Sequence, residues 1–282
     1  MKTIAVVPNT AKAAWKDSTQ HLLDQLCGMD VEILMPEGCQ ETMQQGCIRF
    51  VSQQEMIQKS EMLLSLGGDG TLMRAAKYAG PAGVPVLGIN MGHLGYLVEL
   101  EISDYESWLR KVLAGEYTID SRMMLEVEVI RNGRRVGHTL VLNDAFVARG
   151  TVGHMITTKV DFDGIPMNTY MGDGIIIATP TGSTAYSLSA GGAVLEPQSN
   201  NILVTPICPH SLGSRPIVLA GSRVITLQVQ GDGKDGDLVC DGDFFMKLNQ
   251  EDTVRIYQSQ AVLKLVRVRN RSFYDILREK LR

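Results

Sequence analysis

The chain has 282 residues, 44% hydrophobic and 21% charged, with a formal net charge of −4. That length suits one large or two ordinary domains and can bury a sizeable core. The acidic balance argues against a basic nucleic-acid-binding face, and no apolar run reaches the ~18 residues of a membrane span.

Up to about Gly115, short apolar strands alternate with helices. Residues 3–7, 31–35, 62–66 and 85–89 read as strands, and 13–27, 71–79 and 103–113 as helices. Leu22, Leu23 and Leu26 recur at helical spacing, and Asp104 gives the third helix an acidic first turn. Such alternation predicts a parallel sheet covered on both faces, with ligands beyond the carboxyl ends of its strands.

After Asp120 the period changes to two: Leu125, Val127 and Val129 alternate with Glu126 and Glu128. Asn132-Gly133 supplies a hairpin turn before a strand at 136–141. Further strands are expected at 156–162, 174–178, 202–207, 223–230, 238–240, 253–257 and 261–268, with turns at Asp163-Gly164 and Asp241-Gly242. The expected architecture is therefore α/β plus β. Residues 1–118 form a parallel α/β domain and 119–269 a β-sandwich domain. A C-terminal helix within 270–282, carrying Ile276, Leu277 and Leu281, returns to the first domain because a lone helix needs an apolar partner. The basic residues near the C-terminus read as a strand and a solvated helix, not a nucleic-acid arm.

Five cysteines, an odd number with no CxxC pair, indicate neither a disulfide framework nor a zinc site. Residues 1–7 begin a strand and lack the apolar core of a signal peptide. A reducing cytoplasm is the expected location.

The most informative segment is Leu64-Ser65-Leu66-Gly67-Gly68-Asp69-Gly70-Thr71. A buried strand breaks into a glycine turn immediately before a helix, where backbone N–H groups suit a phosphate. Asp69 would repel that phosphate unless it binds a metal or accepts a proton from a hydroxyl nucleophile, so the segment points to phosphoryl transfer. No Lys follows Gly70, which excludes a Walker loop. Met73 stands where a dinucleotide fingerprint read from Gly68 needs glycine. The plain alternative is a glycine turn in which Asp69 or Thr71 caps the helix.

A second motif follows a strand: Asp173-Gly174, then Pro180-Thr181-Gly182-Ser183-Thr184-Ala185-Tyr186-Ser187-Leu188-Ser189-Ala190-Gly191-Gly192. Its small and hydroxyl side chains let a polar ligand approach the backbone, and Tyr186 offers a flat face to a base. Together with the glycine turn, Asn143-Asp144, Gly92-His93-Leu94-Gly95-Tyr96 and Pro209-His210-Ser211-Leu212, it resembles the NAD kinase family over nearly the whole chain.

That resemblance implies phosphorylation of the 2′-hydroxyl on the adenosine ribose of NAD by ATP, giving NADP. It implies a divalent metal, usually Mg²⁺, and a homodimer or homotetramer whose subunits share the nucleotide site. Some bacterial members also accept inorganic polyphosphate. Asp69 falls at the family's catalytic carboxylate, and Gly67, Gly68, Gly70 and Thr71 at its phosphate turn. Tyr96, Asn143, Asp144, Asp173, Thr184, Ala185, Tyr186 and Ser189 fall on substrate contacts. Met171 departs from the pattern, since many bacterial relatives carry Arg or Lys there. His93 and His210 lack a partner at metal spacing and read as structural. A lipid or sugar kinase with the same glycine turn would lack the second motif. A nucleotide sensor that had lost catalysis would be expected to have lost Asp69 or the turn.

Overall fold

The computed structural model describes residues 1–11, 15–43, 46–91, 95–101, 104–150, 154–230 and 236–280. They group into two units, Met1–Ser121 with Ala261–Arg282, and Arg122–Gln260.

The first unit contains β1 (Thr3–Pro8), α1 (Trp15–Cys27), β2 (Glu32–Pro36), β3 (Ile48–Val51), α2 (Gln53–Lys59), β4 (Met62–Leu66), α3 (Asp69–Ala82), β5 (Val86–Asn90), β6 (Leu100–Glu101) and α4 (Tyr105–Leu113). The sheet order is β5-β4-β1-β2-β3, all parallel. Every residue of β4 and β5 is buried, as expected for strands covered on both faces. Leu22, Leu23 and Leu26 of α1 enter one core with Ile4, Ile33 and Leu64. The chain runs outward from β1 to β3, then returns to the other side of β1 with β4. The strand order thus reverses between β1 and β4, which places a ligand crevice at their carboxyl ends.

The second unit begins within β7 (Thr118–Arg131) and continues through β8 (Arg134–Val141), β9 (Asp144–Arg149), β10 (Ile156–Phe162), β11 (Ile165–Gly172), β12 (Gly174–Ala178), α5 (Tyr186–Ser189), β13 (Asn201–Ile207), β14 (Ile217–Ala220), β15 (Ile225–Gln230), β16 (Gly236–Cys240) and β17 (Asp243–Leu248) into β18 (Asp252–Arg267). One antiparallel sheet runs β14-β13-β12-β9-β16-β17. The other joins β11, β10, β15 and β18, with the β7–β8 hairpin attached through β7. Val147, Ile175, Ile177 and Val204 of the first sheet share a core with Val160, Leu227, Val229 and Val254 of the second, which makes a β-sandwich. Three hairpins turn on paired positive φ angles: Asn132 (50°) and Gly133 (72°), Asp163 (52°) and Gly164 (79°), Asp241 (53°) and Gly242 (83°).

The last helix, α6 (Phe273–Lys280), belongs to the first unit. None of its residues is fully buried, and Lys280 lies 6.0 Å from the centre of the Tyr96 ring. Among the described residues no helix is long and apolar enough to cross a membrane.

Two expectations need correction. Cys27 and Cys47 form a disulfide, with Cα atoms 5.8 Å apart, joining the end of α1 to the approach of β3. Cys39, Cys208 and Cys240 take no part in that disulfide, and an odd cysteine count says nothing about a single pair. The strands expected at 253–257 and 261–268 are one strand, β18, which ends at Arg267 and runs through the polar stretch Gln258-Ser259-Gln260 that the apolar pattern read as a break.

Candidate nucleotide and phosphate site

The glycine turn stands at the carboxyl end of β4, at the point where the strand order reverses. The Asn9 N–H donates to the Leu66 carbonyl at 2.8 Å, tying the ends of β1 and β4 together. A Cβ at Gly67 would lie 2.3 Å from Thr71 Oγ1 and 3.1 Å from Asn9 Cβ, so only glycine fits there. Gly68 and Gly70 face open space on their Cβ sides. Gly68 is the N-cap of α3, and Asp69 and Thr71 lie in its first turn, so neither caps the helix. Thr71 Oγ1 is buried without a hydrogen-bond partner among the described residues.

The Asp69 carboxylate reaches away from its own helix. It accepts the N–H of Tyr96 at 2.8 Å on Oδ2, and those of Leu97 and Val98 at 3.1 and 3.2 Å on Oδ1. A Cβ at Gly95 would lie 2.3 Å from both carboxylate oxygens, so this glycine admits the side chain. The loop that holds Tyr96 is thereby fastened to the phosphate turn. Gly92, His93 and Leu94 lie outside the described residues.

In the second unit, Asn143 and Asp144 form the entry to β9. The Thr179 hydroxyl donates to the Leu142 carbonyl at 2.6 Å, and the Thr179 N–H donates to the Asn143 carbonyl at 2.9 Å. Gly182 is pressed so close that a Cβ would lie 2.0 Å from the Asn143 carbonyl oxygen. Asn143 Oδ1 is buried with no partner among the described residues, an acceptor suited to a ligand's donor. Asp144 is buried, and that burial, reinforced by the Asp241 carboxylate, pushes its carboxyl up to about 7.

Tyr186 is 41% exposed and meets Phe146 edge-on, with ring centroids 5.1 Å apart. Its phenol is raised by burial and then by Cys208, Asp173 and Asp144, which gather around it. Thr184 and Ala185 are half-buried and Ser189 exposed on the same short turn. Thus Gly67, Gly68, Asp69, Gly70, Thr71 and Tyr96 gather in the first unit. Asn143, Asp144, Asp173, Thr184, Ala185, Tyr186 and Ser189 all lie in the second. His210 lends its N–H to the Met171 carbonyl at 2.8 Å, a strand-edge role.

Three groups escaped the sequence reading. Arg149 lies 3.4 Å from the Asp173 carboxylate and brings a cation to it. Buried Arg122 donates to the Thr181 hydroxyl at 3.2 Å. Asp241, read only as a turn residue, sits against the backbone of 142–144. Nothing in local spacing links residues so far apart in the chain.

Among the described residues no three His, Cys, Asp or Glu side chains converge on a metal position. Asp69 is the carboxylate of the phosphate turn.

Family comparisons agree with these motifs. Residues 4–117 match the ATP-NAD kinase N-terminal domain and residues 142–268 the ATP-NAD kinase C-terminal domain. The chain is 39% identical over 282 residues to an NAD kinase of Moorella thermoacetica, covering all of this chain and 90% of that one. It is 45% identical over 221 residues to an NAD kinase of Symbiobacterium thermophilum, covering 78% of each. Two solved structures share the fold. Yeast NADH kinase complexed with NADH superposes with a TM-score of 0.87 at 24% identity, covering 99% of this chain and 86% of that one. An NAD kinase from Archaeoglobus fulgidus in complex with ATP gives 0.74 at 23% identity, covering 100% and 98%. With both domains matched and such identity along its full length, the chain belongs to the NAD kinase family.

Proposed function

We propose that this chain transfers the γ-phosphoryl group of ATP to the 2′-hydroxyl of the adenosine ribose of NAD, forming NADP and ADP. The observation that carries the reading is the Asp69 carboxylate. It is held by three N–H groups beside a glycine turn, at the reversal of a parallel sheet, in a chain whose full-length relatives are NAD kinases. Asp69 takes the hydroxyl proton as that oxygen bonds to the γ-phosphorus and the bond to the β–γ bridging oxygen breaks. Such base assistance contributes ~10²–10⁴ in rate. Positioning and charge neutralisation contribute more. Gly67, Gly68, Gly70 and Thr71 hold the phosphates on the open side of the turn. A divalent metal bound with the donor phosphates would supply charge neutralisation there, and Asp69, the carboxylate in the first turn of α3, would help hold it.

Asn143 reads the adenine edge through its buried unpartnered oxygen. Asp144 accepts ribose hydroxyls, and Tyr186 and Tyr96 offer ring faces to the base. Asp173 meets the nicotinamide side. A homodimer or homotetramer is supported by β11, an edge strand that leaves Ile165, Met167 and Met171 exposed to solvent. A cytoplasmic location is supported by the substrates, which are soluble intracellular nucleotides; the Cys27–Cys47 disulfide pulls the other way.

The test is direct. The purified chain is incubated with NAD, ATP and Mg²⁺, and NADP is followed with an NADP-specific dehydrogenase. NADP formation that requires all three supports the reading. A folded protein that binds NAD and ATP yet makes no NADP would overturn it.

A further inference from the structure

Leu142 and Asn143, which lead into β9 at Asp144, lie outside any strand or helix, and a side chain from far along the chain holds their N–H groups. Asp241, on the turn between β16 and β17, is 8% exposed. Its Oδ1 accepts the N–H of Asn143 at 2.8 Å, and those of Leu142 and Asp144 at 3.2 and 3.3 Å. Its Oδ2 accepts the N–H of Leu142 at 3.0 Å. The Asp241 N–H closes the ring by donating to the Asp144 carbonyl at 2.9 Å. A positive φ of 53° at Asp241 turns the carboxylate back onto these groups. Successive N–H groups around one carboxylate form an anion nest, here filled by the protein itself.

We propose that Asp241 is a positioning residue of the nucleotide site: its carboxylate fixes the 142–144 turn so that Asn143 and Asp144 are held in the geometry that reads NAD. This rests on the function proposed above. Asn or Gly could take the positive φ of the β16–β17 hairpin as well, but Gly offers these N–H groups no acceptor and Asn offers one uncharged oxygen, whereas the carboxylate meets them with two oxygens and a full charge. Thr179 holds the turn's carbonyls from the other side, its hydroxyl on Leu142 and its N–H on Asn143, with Gly182 packed against the Asn143 carbonyl, so the segment is clamped through both its donors and its acceptors.

The same carboxylate acts electrostatically on Asp144, whose carboxyl is pushed up to about 7 by burial first and by Asp241 second. Tyr186 on α5 feels the same Asp144 carboxyl, and Cys208 and Asp173, the latter with its partner Arg149, act on Tyr186, while Cys240 on β16 pairs with Ala145 next in the chain. Ionised Asp144 accepts ribose hydroxyls more strongly than the protonated acid. NAD affinity should therefore rise as pH climbs through 7, roughly tenfold between pH 6 and 8 for a single ionisation there.

Calorimetry of the full chain with NAD from pH 5.5 to 8.5 tests this, alongside kinetics. Asp241→Asn keeps one acceptor and loses the charge, so the limb should move to lower pH. Asp241→Glu keeps the charge and displaces the oxygens by a methylene, so the KM for NAD should rise at least tenfold with kcat nearly unchanged and the limb retained. A role confined to stability would lower Tm without moving the limb or separating KM from kcat. NAD affinity flat across the range in the wild type overturns the inference. So does a limb unmoved in Asp241→Asn, or a KM within twofold of wild type in Asp241→Glu. Wild-type protein that binds NAD but never forms NADP overturns the function itself and leaves Asp241's role in NAD binding standing on the pH series.

Discussion

Asp69 carries two loads on one carboxylate. It belongs to the glycine turn at the start of α3, and it anchors the loop of Tyr96, Leu97 and Val98 through three N–H bonds. Asp69→Asn removes the proton acceptor and turns one loop-holding oxygen into a donor facing an N–H. Turnover should fall on the order of 10² or more while NAD affinity changes only a few-fold. Hydrogen exchange at residues 96–98 separates the two loads. Lost turnover with protected amides assigns the effect to chemistry, and lost protection assigns it to the loop. A variant that retains most of its turnover removes Asp69 from the reaction. Tyr186 poses a simpler question, since its ring rests edge-on against Phe146 with a face left to solvent. Tyr186→Ala should raise the KM for NAD far more than it lowers kcat, because base–aromatic stacking is worth roughly 1–3 kcal/mol and contributes alike to ground and transition states. An unchanged KM would make the ring a packing residue of β9 and nothing more.

Among the elements, α1 and β3 are joined covalently by Cys27–Cys47, with β2 between them and β3 at the sheet's edge. Closing a loop with a sequence separation of 20 stabilises the native state by about 3 kcal/mol in the chain-entropy account. Reductant should lower the melting temperature of this unit by several degrees. In Cys27→Ser, reductant should have no effect, and equal melting of the oxidised and reduced wild type would show that the bond leaves the edge strand's stability unchanged. Neither the disulfide nor β3 was legible in the sequence, because cysteine spacing carries no distance and Ile48–Val51 is too short for a period to show. The strands β4 and β12 were legible to the residue, since a short, mostly apolar run with a glycine at one end has few other readings. The three hairpin turns were legible for a backbone reason: Asn-Gly and Asp-Gly tolerate the paired positive φ angles found there. By contrast, β11 exposes most of its residues and β17 buries only Leu248, so no alternation marks them. The site divides along the same line. Glycines required by close approach announced themselves in the motifs, whereas Asp241, Arg149 and Arg122 act on residues distant in sequence and left no local trace.

At the scale of the whole chain, the first unit is closed by its own last residues. Arg267, at the end of β18, donates to the Leu97 carbonyl at 3.1 Å and pairs with Glu99 at 3.0 Å and Asp120 at 3.2 Å. Glu99 in turn accepts the N–H groups of Val268 and Arg269 at 2.9 and 2.7 Å. Leu97 is thus held from both sides, its N–H by Asp69 and its carbonyl by Arg267. The C-terminal segment therefore supports the loop on which the Asp69 geometry depends, a link invisible in a basic run that reads simply as strand and helix. The guanidinium is only 15% exposed, and its two carboxylate partners are 8% and 12% exposed. Arg267→Ala would leave two largely buried carboxylates without their cation, a loss of about 3–5 kcal/mol by analogy with broken buried pairs. Arg267→Lys should recover only part of this, because an ammonium cannot span a carbonyl and two carboxylates as a planar fork does. Beyond stability, the alanine variant should show faster hydrogen exchange at residues 96–99 and a lower kcat when assayed well below its melting temperature. If its kcat there matches the wild type while only the melting temperature has fallen, the C-terminal return stabilises the unit without setting the geometry of Asp69.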